Sequence, residues 1–165
     1  MTPEEFYTRV LTPGLSKIAR FAPEMPRNRG VEVLMTSIAG TESDWADRVQ
    51  IPSGMAHGLF QMQLNTIEEI MVNPASRAIF ELGMDDFGIN TRTAEHLFEI
   101  IAHPAGDVMA VFLARLDLWC NPNTIPFADE EALLFAYYRD TWRPLRADAR
   151  RFSWAYGQAL SIVPA

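Results

Sequence analysis

Apolar positions recur every third or fourth residue along most of this chain, while the strict alternation of a half-buried strand is nearly absent. That period predicts a mainly α fold, a succession of helices punctuated by Pro, Gly and Asn. Helices are expected over residues 3–21 with a break at Pro13 and Gly14, over 30 to about 44, and over 66–72. Asn73 before Pro74, with Gly83 after Leu82, marks a short helix by cap, first-turn proline and terminal glycine in that order. Further helices are expected over about 91–102, 107–119, 129–141 and 147–162, bounded by Pro104, Pro122, Pro126 and Pro144. Residues 49–64 differ, because Pro52, Ser53, Gly54 and Gly58 interrupt any helix while Leu59, Phe60 and Met62 stay apolar, which predicts a loop or small hairpin. No internal repeat or linker divides the chain, so residues 1–165 are expected to form a single domain.

One charged residue falls on the wrong face of this pattern. At 100° per residue, Val31, Leu34, Met35, Ile38 and Trp45 cluster into a buried stripe, provided the helix persists to Trp45. Glu42 lands inside that stripe, whereas Asp44 and Asp47 point away from it. A carboxylate at the edge of an apolar face is costly to desolvate, so either it holds its proton to higher pH or a partner compensates its charge. The structural alternative is a helix-end glutamate that reaches water or pairs with Arg48.

Composition narrows the partners. A chain of 165 residues, 48% hydrophobic and 21% charged, can bury one continuous core and shows no low-hydrophobicity, single-charge stretch. Its formal charge of −7 offers no basic footprint for a nucleic-acid backbone and no long-range attraction to anionic polymers, so nucleic acid is not an expected partner. The lone Cys120 cannot form an internal disulfide and reads as a small buried hydrophobe. Met1 to Phe6 carries Pro3, Glu4 and Glu5 in place of a basic patch and apolar run, so no secretory signal is expected. The longest apolar run, Val108 to Ala114, is too short to cross a bilayer, and no membrane insertion is expected. His96 and His103 stand seven apart, not at the i, i+4 spacing of a helical zinc site, and no metal or cofactor is expected.

Three ordered pieces then bear on chemistry. The first is Thr41-Glu42-Ser43 at the end of a predicted helix; the second is Gly54-Met55-Ala56-His57-Gly58-Leu59-Phe60-Gln61. The third is Tyr137-Tyr138-Arg139-Asp140-Thr141-Trp142-Arg143-Pro144. Together, across residues 30–144, they resemble the signature of the lysozyme-like superfamily, which includes lytic transglycosylases and goose-type lysozymes. The resemblance looks closest to lysozyme-like proteins of bacteriophages. It implies a helical lysozyme-like domain with a small loop or hairpin after the catalytic helix. It further implies that Glu42 is the general acid and base that cleaves the MurNAc-GlcNAc β-1,4 bond of peptidoglycan. The implied partner is a peptidoglycan glycan strand, with other virion proteins as further candidates. The implied setting is synthesis in a host cytoplasm and action in the periplasm or cell wall, or carriage in the virion.

The same resemblance distributes the remaining roles. A tyrosine on the later helix would hydrogen-bond the catalytic glutamate; Tyr137 fits the family's Ala-Tyr spacing through Ala136, and Tyr138 is the alternative. Substrate contacts would come from Ser43, His57, Gly58, Leu59, Phe60, Gln61, Tyr138, Trp142 and Arg143. Gly58 would let the backbone approach a sugar ring, and the Gln61 amide would offer both donor and acceptor. His57 reads as the rim of the groove before it reads as a proton shuttle. Trp142 and Arg143 stand where the family's transglycosylases carry an Asn-x-Gly loop, a departure that bears on substrate contacts. Hydrolases of this kind pair two carboxylates, and Asp44, Asp47, Asp85 and Asp86 are the candidates for the second. Without one, Glu42 would serve as acid and then base while a sugar hydroxyl closes an anhydro ring. The rival from another class is a non-catalytic virion structural or assembly protein that keeps a lysozyme-like, glycan-binding fold; a third reading is a helical partner-binding module.

Overall fold

The computed structural model describes residues 1–50, 53–144 and 147–165; Pro52, one of the expected helix breakers, lies outside the described residues. The chain is mainly helical, as the apolar period predicts. It begins with α1 (Pro3–Phe6), a π-helical turn (Tyr7–Leu11) and α2 (Thr12–Phe21) in unbroken succession. The expected break at Pro13 and Gly14 is absent. A proline ring crowds the carbonyl four residues before it and removes an N–H. The wide turn just before Pro13, closed by Thr12 N–H to the Tyr7 carbonyl, accommodates both effects without ending the helix.

α3 (Arg29–Ser43) is capped by the Asn28 side chain, which accepts from the Val31 N–H at 3.0 Å. Every residue from Gly30 to Thr41 is buried, which makes α3 the central pillar of the molecule. It runs against α9 (Ala149–Ile162), while α2 lies against α5 (Arg77–Phe87) and α7 (Asp107–Cys120). Between them α4 (Leu64–Val72) packs on α6 (Ala94–Ile101) and α7, and α8 (Glu131–Trp142) closes over α9. One continuous cluster of buried apolar side chains joins these helices.

Gly83 does not end its helix as expected. It sits mid-helix beneath the Phe112 ring, where a Cβ would come within 2.2 Å of Cζ, and α5 continues to a left-handed cap at Gly88 with φ 69°. The stretch after α3 forms the expected hairpin, β1 (Ala56–His57) antiparallel to β2 (Met62–Gln63), with Ala56 opposite Gln63 and His57 opposite Met62.

Arg115 on α7 places a charged side chain in the core, over the Trp119 ring. Its side chain is 2% exposed, Nη2 donates to the Pro26 carbonyl at 3.2 Å, and Nη1 has no partner among the described residues. Burial pulls the guanidinium down to about 10, opposed only by the charge of Tyr137. Replacing an unpaired buried cation by an apolar side chain of similar length removes that desolvation cost. Arg115→Met is therefore expected to raise stability by about 1–2 kcal/mol in urea unfolding at pH 7; a loss of similar size would show that the charge is compensated.

Candidate functional site

The backbone at the end of α3 decides what Glu42 faces. Asp44 at φ 51° and Trp45 at φ 55° both adopt the left-handed region, so the helix stops at Ser43 and does not persist to Trp45. Trp45 is still buried, but by folding back: its ring lies on Gly40, where a Cβ would come within 2.3 Å, and its Nε1 donates to the Thr36 carbonyl at 2.9 Å. Glu42 is left on the last turn, half-buried, its carboxyl turned to an open groove.

Most of the loop residues expected to touch substrate instead build the scaffold. Ser43 is 1% exposed, its hydroxyl shared between the carbonyls of Ala39 at 2.9 Å and Leu59 at 2.7 Å, so it staples the hairpin to α3. His57 is no rim residue. Its ring stacks on Phe98 at 3.7 Å, and Nδ1 donates to the Phe98 carbonyl at 2.9 Å, facing α6 and away from the groove. Gly58, at φ 75°, is pressed against α6 and α7, with a Cβ there only 3.3 Å from Ile101 and 3.4 Å from Ala110. That packing takes the place of the expected approach to a sugar. Leu59 and Phe60 are fully buried, and the Phe60 carbonyl accepts from Trp142 Nε1 at 2.9 Å. Of this segment's candidates, Gln61 alone reaches the groove; its Nε2 is held by the carbonyls of Asp47 at 3.0 Å and Gly58 at 2.9 Å.

The tyrosine that meets Glu42 is Tyr138, whose hydroxyl donates to Oε1 at 2.5 Å. Tyr137, the residue favoured by spacing, points the other way and donates to the Leu118 carbonyl at 2.9 Å. Neighbouring side chains on a helix diverge by about 100°, so only one of the pair can face α3. Burial raises the Glu42 carboxyl above the ordinary carboxylate range, opposed by the Tyr138 hydrogen bond and, more weakly, by the Arg151 charge. The Tyr138 hydroxyl is itself pushed up, by burial first and then by Glu42, and remains a donor.

Two depressions meet at Glu42, Gln50, Gln61 and Pro144. The larger, of about 670 Å³, takes in Trp142 and Arg143 and a row of side-chain amides, among them Gln63, Asn65, Asn73, Asn121 and Asn123. The smaller, of about 400 Å³, is lined by Asp44, Asp47, Tyr138, Asp148 and Arg151. Arg151 is paired with Asp44 at 3.1 Å. Arg48, the alternative partner for Glu42, is committed elsewhere: it grips Asp107 through two hydrogen bonds of 2.7 Å.

Of the candidate second carboxylates, Asp44 and Asp47 line the groove. Asp85 and Asp86 do not; they lie on α5, paired with Arg92 and with Lys17 respectively. Sequence reasoning missed Arg151, which no local pattern marks, and Asp117, whose signal was an acid set between Leu116 and Leu118. His96 and His103 are exposed, and among the described residues no three His, Cys, Asp or Glu side chains are grouped to hold a metal ion. No single described helix is long and apolar enough to cross a membrane. Comparison with protein-family models, curated proteins and solved structures finds no match. Function therefore rests on the groove and the residues that build it.

Proposed function

We propose that this chain is a peptidoglycan-cleaving glycosidase, a muramidase or lytic transglycosylase with a lysozyme-like fold, encoded by a bacteriophage. The observation that carries the reading is a desolvated, Tyr138-bonded Glu42 carboxyl at the junction of two open, polar depressions. A polymer lying through both would have the bond between two sugars beside the acid. The three motifs around Glu42, Gln61 and Trp142 support the family and the substrate; the partner is the glycan strand of the cell wall. The protein would be made in the host cytoplasm and act in the periplasm or wall, or travel in the virion.

In this reading the protonated Glu42 donates to the glycosidic oxygen as the C1–O bond breaks, because burial lets the carboxyl hold its proton to higher pH than an exposed glutamate does. The resulting carboxylate then accepts a proton, either from a water whose oxygen bonds to C1 or from the sugar's own hydroxyl as its oxygen bonds to C1 and closes an anhydro ring. Tyr138 holds the carboxyl in place and steadies its charged form. Trp142 and Arg143 offer a ring face and a cation to the strand in the larger depression.

Mass spectrometry of purified peptidoglycan after incubation with the protein is the test. Soluble fragments ending in an anhydro sugar identify a lyase, and reducing ends identify a hydrolase. Binding without fragments would leave the non-catalytic glycan-binding protein as the correct reading. Tyr138→Phe is expected to keep cleavage but move the alkaline limb of its pH profile upward. The sign follows from the hydrogen bond, which favours the ionised carboxyl; without it the proton is held to higher pH.

A further inference from the structure

Asp117 stands between Leu116 and Leu118 on α7, and it opens into the larger depression beside Glu69 of α4 and Arg143 at the end of α8. Among the described residues its carboxyl makes no hydrogen bond and no ion pair, although Leu116 and Leu118 on either side are buried. A carboxyl set in a hollow without a fixed donor is built to take its partner from what fills the hollow. Around it stand Asn73, Asn121 and Asn123; Asn121 is engaged through Nδ2 with Thr141 and through Oδ1 with the Asn123 N–H, and Asn73 Oδ1 accepts from the Ala75 N–H, so the Asn123 amide and Asn73 Nδ2 are the groups that can meet an uncharged guest.

We propose that Asp117 is a specificity-determining residue of the groove, reading the acetamido group of an N-acetylated sugar through a pair of hydrogen bonds. The inference rests on the glycan-cleaving reading and names what its larger arm recognises. Burial and then the Glu69 charge push Asp117 up to about 7, opposed by Arg143, so the acid carries its proton mainly on the acid side of neutrality. A protonated carboxyl donates its O–H to an amide carbonyl and accepts the amide N–H on its other oxygen, which matches an acetamido group at two points. A deacetylated sugar offers an ammonium instead, which can donate to the acid's carbonyl oxygen but has no acceptor for its O–H. The other titratable groups facing this hollow are Cys120 on the same helix, Asp140 on α8 and Glu42 at the junction.

The test is calorimetric binding of the N-acetylglucosamine tetramer and of its deacetylated counterpart to the full chain and to Asp117→Asn, Asp117→Ala and Glu42→Gln. At pH 6 the wild type is expected to prefer the acetylated tetramer by about tenfold or more, the equivalent of one good hydrogen bond. Asp117→Ala brings the two ligands close to parity, and Glu42→Gln keeps the preference. From pH 6 to pH 8.5 the wild type loses affinity for the acetylated tetramer about tenfold as Asp117 ionises, while Asp117→Asn, which keeps a donor and an acceptor at all pH values, holds it constant. A preference unchanged in Asp117→Ala, a wild-type affinity flat with pH, or tighter binding of the deacetylated tetramer would overturn this role for Asp117. Tetramer binding with this pattern but no cleavage of peptidoglycan would sink the enzymatic reading and leave the inference standing. No binding of either tetramer by the wild type would overturn both.

Discussion

Glu42→Gln is expected to lower peptidoglycan cleavage by about a hundredfold to ten-thousandfold, the usual contribution of a positioned general acid. The substitution keeps shape and can still accept the Tyr138 hydroxyl, so the groove on either side should survive. What disappears is the proton. Wild-type cleavage should be full at acid pH and decline as pH rises through the elevated Glu42 value, a limb absent from the variant's residual rate. The stability change runs with the same sign. A carboxyl held above its ordinary range in the fold contributes stability below that range, and the contribution is lost as pH rises through the folded value. Gln has no such loss, so the variant should match or exceed the wild type in thermal unfolding at pH 8. A variant that cleaves as well as the wild type would remove Glu42 from the chemistry, and one that unfolds earlier at pH 8 would overturn the stability argument.

Asp107→Ala is expected to cost about 3 kcal/mol in urea unfolding, the order found when one partner of a buried ion pair is removed. Asp107 opens α7, where a negative charge also suits the helix N-terminus. It holds Arg48 through both Nε and Nη2 at 2.7 Å, with the two side chains only 9% and 19% exposed. Arg48 in turn anchors the segment after α3: its Nη1 donates to the Ala46 carbonyl at 3.1 Å and its own carbonyl accepts from Gly58 N–H at 2.8 Å. Without Asp107 a guanidinium is stranded between the loop and α7, and the backbone that holds Gln61 loses its anchor. A change within 0.5 kcal/mol, the scale of an exposed pair, would show that this pair does not hold the loop.

Helix positions were legible because their apolar faces repeat, but helix ends depended on partners far along the chain. Gly83 looks like a stop signal in sequence and serves instead to admit Phe112 from a distant helix. At the end of α3 the stop falls on Asp44 and Trp45, two residues with no glycine's ease in the left-handed region, held there by the indole packed on Gly40. The burial of Trp45 could be read from periodicity; the reversal that achieves it could not. Glu42 was found because it violates a local pattern, and a local pattern is visible without coordinates. The loop residues from His57 to Phe60 matched a motif, yet most of them are spent on packing, since a motif records which residues recur and not which way they face. Tyr137 and Tyr138 differ by one position, and only the rotation of α8 against α3 selects between them.

The pillar that carries Glu42 is locked in on all sides, while the groove beside it is walled largely by helix ends and connections, Gln50, Gln61 to Gln63, Asn121 to Asn123 and Trp142 to Pro144, with Glu69 and Asp117 added by α4 and α7. Acid and walls are thus separable parts. If the groove holds a glycan, varying its exposed connections is expected to change which strands it accepts, while the helix beneath Glu42 stays as it is.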